Sequence, residues 1–436
     1  MLDSNALTKI QSIILILIIV VAAVGGGIIY VVINQPSVSS EPIKIGFLGD
    51  LDGIVGRPGW QGAKLAVEEI NAEGGILGRQ VELIAEDQDG GGDPVILTNA
   101  LTRLITQNKV DLIVEQSSAS ETLVQDIIAQ HKIICISGSS ISDEINQRVL
   151  DDYDTFKYYF SIQFNSTSGK LGMTDSMIHI REMTGFNKIG YLAEDLPWNK
   201  PYRDALDVFL PENGFELVYQ GTFPLGTMDF SSYFAAAESA GVEVLLPLIA
   251  LDGGIPFCKE YYDRQSPMLV FGGINVLASD PMGWEWIEGK CNNMDFGTLP
   301  TTAGYPFTSK TLQTRDAYMD RWGEAITMGA ANFYDAIKFI LADAIERAGT
   351  IETEAVIKTL ETTSVETSNA RNFVFTESHA LMMGKDANDP NEDYPIVIGF
   401  QWQDGVQVPV DPRKIMEEAG ATLTFPDWSG PWNNIN

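Results

Sequence analysis

Histidine and cysteine are both scarce in this chain of 436 residues, with three of each. His131, His179 and His379 stand far apart, none beside a serine or cysteine at a spacing that suits nucleophilic catalysis. Cys135, Cys258 and Cys291 are too few for a disulfide framework and too scattered for a zinc motif. Cys135 lies in an apolar strand pattern, as a buried thiol would. A Cys258–Cys291 bridge stays open for an oxidising compartment and leaves one cysteine over. No GxSxG, phosphate loop or HExxH occurs, and the first apolar strand runs into Gly49-Asp50-Leu51-Asp52-Gly53 rather than a dinucleotide-binding turn. These absences point away from an enzyme, and no cofactor or metal is expected.

Basic side chains are the other shortage. Lys and Arg number 28 against 59 Asp and Glu, a net charge of −31. Phosphate binding needs clustered Lys and Arg, and no cluster occurs, so nucleic acid is excluded as a partner. The acidity reads as a solvated surface, or as a mark of a saline habitat.

Long apolar runs are represented by one segment. Residues 13–33 hold no charge, long enough as a helix to cross a hydrocarbon core of ~30 Å. A membrane anchor is expected; a cleaved signal peptide is the alternative, although its apolar part is shorter, about 7–15 residues. With Lys9 before the span and Glu41 after it, the globular part is expected outside the membrane, extracellular or periplasmic. Residues 36–42 read as a polar linker.

What the chain does have is alternation of strand and helix. Residues 43–49 form a strand pattern, residues 60–71 place Ala63, Ala66, Val67 and Ile70 on one helical face, Glu73-Gly74-Gly75 stops that helix, and residues 81–85 read as the next strand. This βαβ pattern recurs about five times up to residues 156–161, then starts again, which implies two α/β lobes, each a doubly wound parallel sheet. Helices at 313–323 and 330–348 are placed in the first lobe, and residues 394–410 read as a hairpin turning at Asp404-Gly405. The tail FPDWSGPWNN, without periodicity, reads as a strap over the surface.

The string GAKLAVEEINAEGGILGRQVELIAEDQDGGGDP resembles the N-terminal lobe of the leucine/isoleucine/valine-binding family of solute-binding proteins, and KVDLIVEQSSA, ICISGSS, KIGYLAED and NFYDAIKFILADAIERAG extend the likeness. The resemblance implies the type I periplasmic-binding fold, with lobes joined by three crossovers: residues 1–40 as anchor and linker, 41–160 plus 275–365 as the first lobe, 161–274 plus 366–436 as the second. It also implies capture of a small ligand (amino acid, amide or short carboxylate) and its delivery to the permease and ATPase subunits of an ABC transporter. A membrane-anchored sensor with the same clamp is the alternative.

In doubly wound sheets, ligands bind outside the carboxyl ends of the strands. Two such ends are rich in hydroxyls, Gln116-Ser117-Ser118-Ala119-Ser120-Glu121 and Ser137-Gly138-Ser139-Ser140. Serines before helices usually cap them, and Ser118 with Glu121 fits a capping box. By resemblance, Ser117, Ser118, Ser139 and Ser140 match contacts to a ligand carboxylate, and Trp198 matches an aromatic cover. Ile274 falls near the family's ammonium-holding acid and Ala250 near an aromatic, which puts the ammonium site in doubt. Asp252 is a substitute or an N-cap, and Asn275 is a further candidate contact. Arg57 and Trp60, on the loop 50–60, are candidates too: Arg57 would hold an anion bidentately or stand in solvent. Asn165-Ser166-Thr167 is a glycosylation sequon or a polar stretch facing the cleft.

Overall fold

Strands covered on both faces read as continuous apolar runs, as residues 43–49 do. The computed structural model describes residues 41–435, except 54–55, 90–92, 117–119, 197–198, 250–252, 275–276, 278–280 and 384–393. The apolar run at residues 13–33 lies outside the described residues. No helix among those described is long and apolar enough to cross a membrane.

The first sheet is five-stranded and parallel, of order β2-β1-β3-β4-β5: β1 (Ile43–Gly49), β2 (Val81–Asp87), β3 (Leu112–Glu115), β4 (Ile134–Ser137) and β5 (Tyr159–Ser161). Its first crossover helix, Gly56–Ala72, begins four residues before the position expected from apolar spacing, because Gly56, Pro58 and Gly59 are buried although none is a large hydrophobe. It stops as anticipated, with Gly74 and Gly75 at φ +111 and +81.

The second sheet has the order β10-β8-β6-β7, with β9 beside β8: β6 (Lys188–Glu194), β7 (Glu216–Phe223), β8 (Val244–Ile249), β9 (Leu269–Val270) and β10 (Gly273–Ile274), again parallel. A third, antiparallel sheet joins β11 (Asp295–Thr298) to the hairpin of β12 (Ile398–Gln403) and β13 (Val406–Asp411). Asp404 and Gly405 turn that hairpin with φ +51 and +85, the paired positive angles that suit the right-handed twist of the flanking strands.

The apolar side chains divide accordingly. One cluster runs from Ile43 to Ile162 and takes in Tyr318 to Leu381; two others, either side of the second sheet, hold residues between Met177 and Phe307 together with Ile396 to Trp432. The tail joins these last two clusters. Trp428 lies edge-on to Tyr261 at 5.5 Å and donates from Nε1 to the Ser266 carbonyl at 2.9 Å, while Trp432 sits in the other cluster and stacks on Phe425. Two buried carboxylates brace the same lobe: Asp411 accepts from Ser176 and from His179 Nδ1, and burial, then Asp411, pushes the Asp295 carboxyl far up.

In the first cluster the helix Gly56–Ala72 packs against Met328–Asp335, the start of a helical stretch that continues to Ala348. A Cβ at Gly62 would come within 2.1 Å of the Ala330 carbonyl oxygen, and one at Gly59 within 2.9 Å of the Phe333 ring. Backbone cannot yield as a side-chain end can, so Gly62→Ala should lower the unfolding free energy by about 1–3 kcal/mol in denaturant titration. An unchanged midpoint would show that the two helices separate without cost.

Candidate functional site

A sheet of order 2-1-3 reverses direction between its first and third strands, and the crevice at that switch point is where such folds bind ligands. In the first sheet it lies between β1 and β3, and two glutamines cover it. Gln88 follows β2; its backbone N–H donates to the Gly49 carbonyl at 3.1 Å, and its Nε2 reaches across to the Gln116 carbonyl. Gln116 N–H donates to the Leu48 carbonyl at 2.8 Å, and its Oε1 lies 3.1 Å from where a Cβ on Gly49 would sit. Both side chains are buried, and Gln88 Oε1 has no partner.

Beside them the loop after β4 curls on Ser137, whose Oγ accepts from Ser140 N–H at 3.0 Å and Ser139 N–H at 3.5 Å. The Gly138 carbonyl accepts from Asn332 Nδ2 at 2.9 Å, and the same amide donates to Gln163 Oε1 at 2.7 Å. Phe47 is edge-on to both Trp60 (5.5 Å) and Phe333 (5.0 Å), which makes an aromatic wall beneath the loop. A Cβ on Gly138 would come within 2.8 Å of the Phe333 ring, so this approach requires glycine.

The edge also holds acids. Glu115, fully buried at the end of β3, accepts from the Tyr159 hydroxyl at 2.6 Å. Glu121, 6% exposed, accepts from Ile141 N–H at 3.2 Å. Burial, and after it the neighbouring Glu115, pushes the Glu121 carboxyl up to about 8, against hydrogen bonds with Ser140 and the Ile141 and Ser142 backbone. In the second sheet the switch point falls between β6 and β8. There Glu194, 1% exposed at the end of β6, points its Oε1 to 3.8 Å from a Cβ built on Gly253, just after β8.

Of the residues expected from sequence, the structure gathers Ser139, Ser140 and Trp60 at the first edge. Ser117, Ser118, Trp198, Asp252 and Asn275, with Ala250, lie outside the described residues. Arg57 is exposed, in line with the solvent reading, but its backbone setting differs from expectation. It stands in the first helical turn rather than on a loop, and its guanidinium forks onto Glu324 at 3.2 Å for each nitrogen, a partner 267 residues away. Ile274 is a core side chain of the second lobe. The helix beginning at Glu121 has Ser120 at its N-cap position, so Glu121 serves the serine loop rather than a capping box with Ser118. The helix expected from Asp252 runs Gly254–Arg264 with Gly253 at its N-cap. Asn165 is half-buried with Nδ2 3.4 Å from Asn146 Oδ1, and Cys135, Cys258 and Cys291 are free, buried thiols. Among the described residues no group of three or more His, Cys, Asp or Glu could hold a metal ion.

The sequence reading gave no role to Gln88, Gln116, Gln163, Asn332, Glu115 and Glu194, although it placed Gln116 at a candidate strand end. Four of these six, Gln88, Gln116, Glu115 and Glu194, end or directly follow a strand, where the switch-point rule alone would have marked them.

Comparison with known proteins gives this arrangement its family. The family pattern described as periplasmic binding protein matches residues 42–385. The Leu/Ile/Val-binding protein homolog 7 of Brucella melitensis is 25% identical over 393 residues, covering 86% of this chain and 92% of its own. The branched-chain amino acid transporter substrate-binding protein of Streptococcus pneumoniae, solved in complex with isoleucine, superposes with a TM-score of 0.69 at 19% identity, over 85% of this chain and 100% of that one. A solute-binding protein of R. palustris, solved in complex with benzoate, also scores 0.69, at 16% identity over 85% of this chain and 95% of its own. This chain belongs to the periplasmic binding protein family.

A buried acid held protonated makes stability depend on pH. Glu121 keeps its proton in the fold to about pH 8, whereas unfolded it ionises near 4.5. Its contribution is therefore complete below the unfolded value and is lost as pH rises through about 8. Thermal unfolding should show lower stability at pH 8.5 than at pH 5.5, and Glu121→Gln should flatten that slope by a few kcal/mol at most. A slope identical in Glu121→Gln would place its cause elsewhere.

Proposed function

We propose that this chain is an extracytoplasmic receptor that captures a small polar solute between two lobes and delivers it to the permease and ATPase subunits of an ABC transporter. The observation that carries the reading is the pair of parallel sheets, each with buried polar side chains at its switch point, in a chain whose family membership spans residues 42–385. The relatives named for branched-chain amino acids support transport of an amino acid or a compound of similar size. Residues 13–33 act as the membrane anchor, and the ligand is held by the first-lobe edge that contains Ser139, Ser140 and Trp60.

We draw the first lobe as residues 41–162 plus 318–383 and the second as 177–307 plus 394–435, following the apolar clusters. The non-helical links at about residues 162–165 and 308–310 act as hinges, and closure about them removes the ligand from water. With residues 41–436 expressed alone, the protein should be soluble. Small-angle scattering against a panel of amino acids, amides, urea and short carboxylates should find a ligand that reduces the radius of gyration. Calorimetric binding without any change in the scattering curve would sink the clamp.

A further inference from the structure

The second lobe holds an open cavity of about 290 Å³ between the helix Ser166–Thr184 and the end of β13. His179 and Glu182 line it from the helix, Asp411, Arg413 and Lys414 from the other side. These helix positions belong to the last turns before β6 begins, so the cavity is apart from the switch point, which lies at the opposite end of that strand.

His179 is 7% exposed and Asp411 4%. The Nδ1 of His179 donates to Asp411 Oδ1 at 2.8 Å, and Asp411 Oδ2 accepts from the Ser176 hydroxyl. Because a carboxylate only accepts, this pairing puts the ring proton on Nδ1, and the neutral imidazole is left with a lone pair at Nε2. That atom is buried in a ring that lines the cavity and has no hydrogen-bond partner among the described residues. A carboxylate behind an imidazole and a lone pair in front of it is the arrangement that orients a histidine toward a metal ion. Glu182 stands three residues further on, so the helix brings its carboxylate to the same face. Its present partner is Arg413, at 3.1 Å; both side chains are at least half exposed, and such a pair gives way at little cost.

We infer that His179 Nε2 and the Glu182 carboxylate bind one first-row divalent transition cation of the Zn2+ or Ni2+ kind, with Asp411 holding the ring and water completing the coordination. Imidazole beside carboxylate suits these ions, whereas Mg2+ takes oxygen ligands alone. The ion ties the helix to β13 through the His179–Asp411 bond and so stabilises the second lobe, away from the ligand cleft. Arg413 and Lys414 oppose its charge and hold its affinity down.

The test titrates Zn2+, Ni2+ and Mg2+ separately into the full chain, purified in detergent without a histidine tag. In calorimetry one equivalent of Zn2+ or Ni2+ should bind and Mg2+ should not, and the bound ion should raise the unfolding midpoint. Glu182→Gln, a change at an exposed side chain, should weaken binding ten-fold or more while leaving the metal-free midpoint in place. His179→Gln should abolish binding, and His131→Gln, at the exposed end of the helix Glu121–His131, should leave it unchanged. Arg413→Gln should tighten binding, because it frees Glu182 and removes a like charge. The inference is overturned if neither ion binds, if Glu182→Gln binds as the parent does, or if Arg413→Gln weakens binding.

Discussion

The helix Gly56–Ala72 can lie against Met328–Asp335 only because positions 59 and 62 carry no side chain, and much of the first lobe depends on that approach. It seats the Phe333 ring between Gly59 and Gly138, and it brings Asn332 to the strand ends, where one amide holds both the Gly138 carbonyl and Gln163. The last residue of the same helix, Asp335, accepts from Ser368 N–H and Asn369 Nδ2. Ser368 and Asn369 in turn hold Thr301, and the Ser368 carbonyl also accepts from Thr311. A contact between glycines and a neighbouring helix thus positions the strand-end edge of the candidate site and anchors the chain where it returns to the first core.

Much of the architecture was legible because it is written in short-range pattern. Strand and helix periods alternate along residues 43–271, and the Asp404-Gly405 turn announces its hairpin. The start of the first helix was not legible, since Gly56 and Gly59 lack the apolar signal and are placed there by Phe333 and Asp50, remote or backbone partners that periodicity does not reveal. Nor was the place of Leu277 to Phe307 in the second core legible: they hold few regular elements, and their position beside β12 depends on pairing across about a hundred residues.

The site was read in part. The hydroxyl-rich end at Ser139 and Ser140 and the ring of Trp60 were visible as residue types at strand and helix ends. Arg57 is exposed, as the solvent reading had it, and its partner Glu324 was not legible because it is remote in sequence. Glutamines at strand ends read as ordinary loop polarity until the sheet order places Gln88 and Gln116 over the same strand. The resulting picture is a crevice lined by glutamines, serines and acids in a strongly acidic protein, with Glu121 kept protonated by its surroundings.

A crystal structure of residues 41–436 with the solute that co-purifies in the cleft tests the account most directly. The account predicts density for a small molecule bounded by Gln88, Ser139 and Trp60 on one side and Glu194 on the other. Density for a ligand away from both switch points, with these residues in contact only with water, would contradict it.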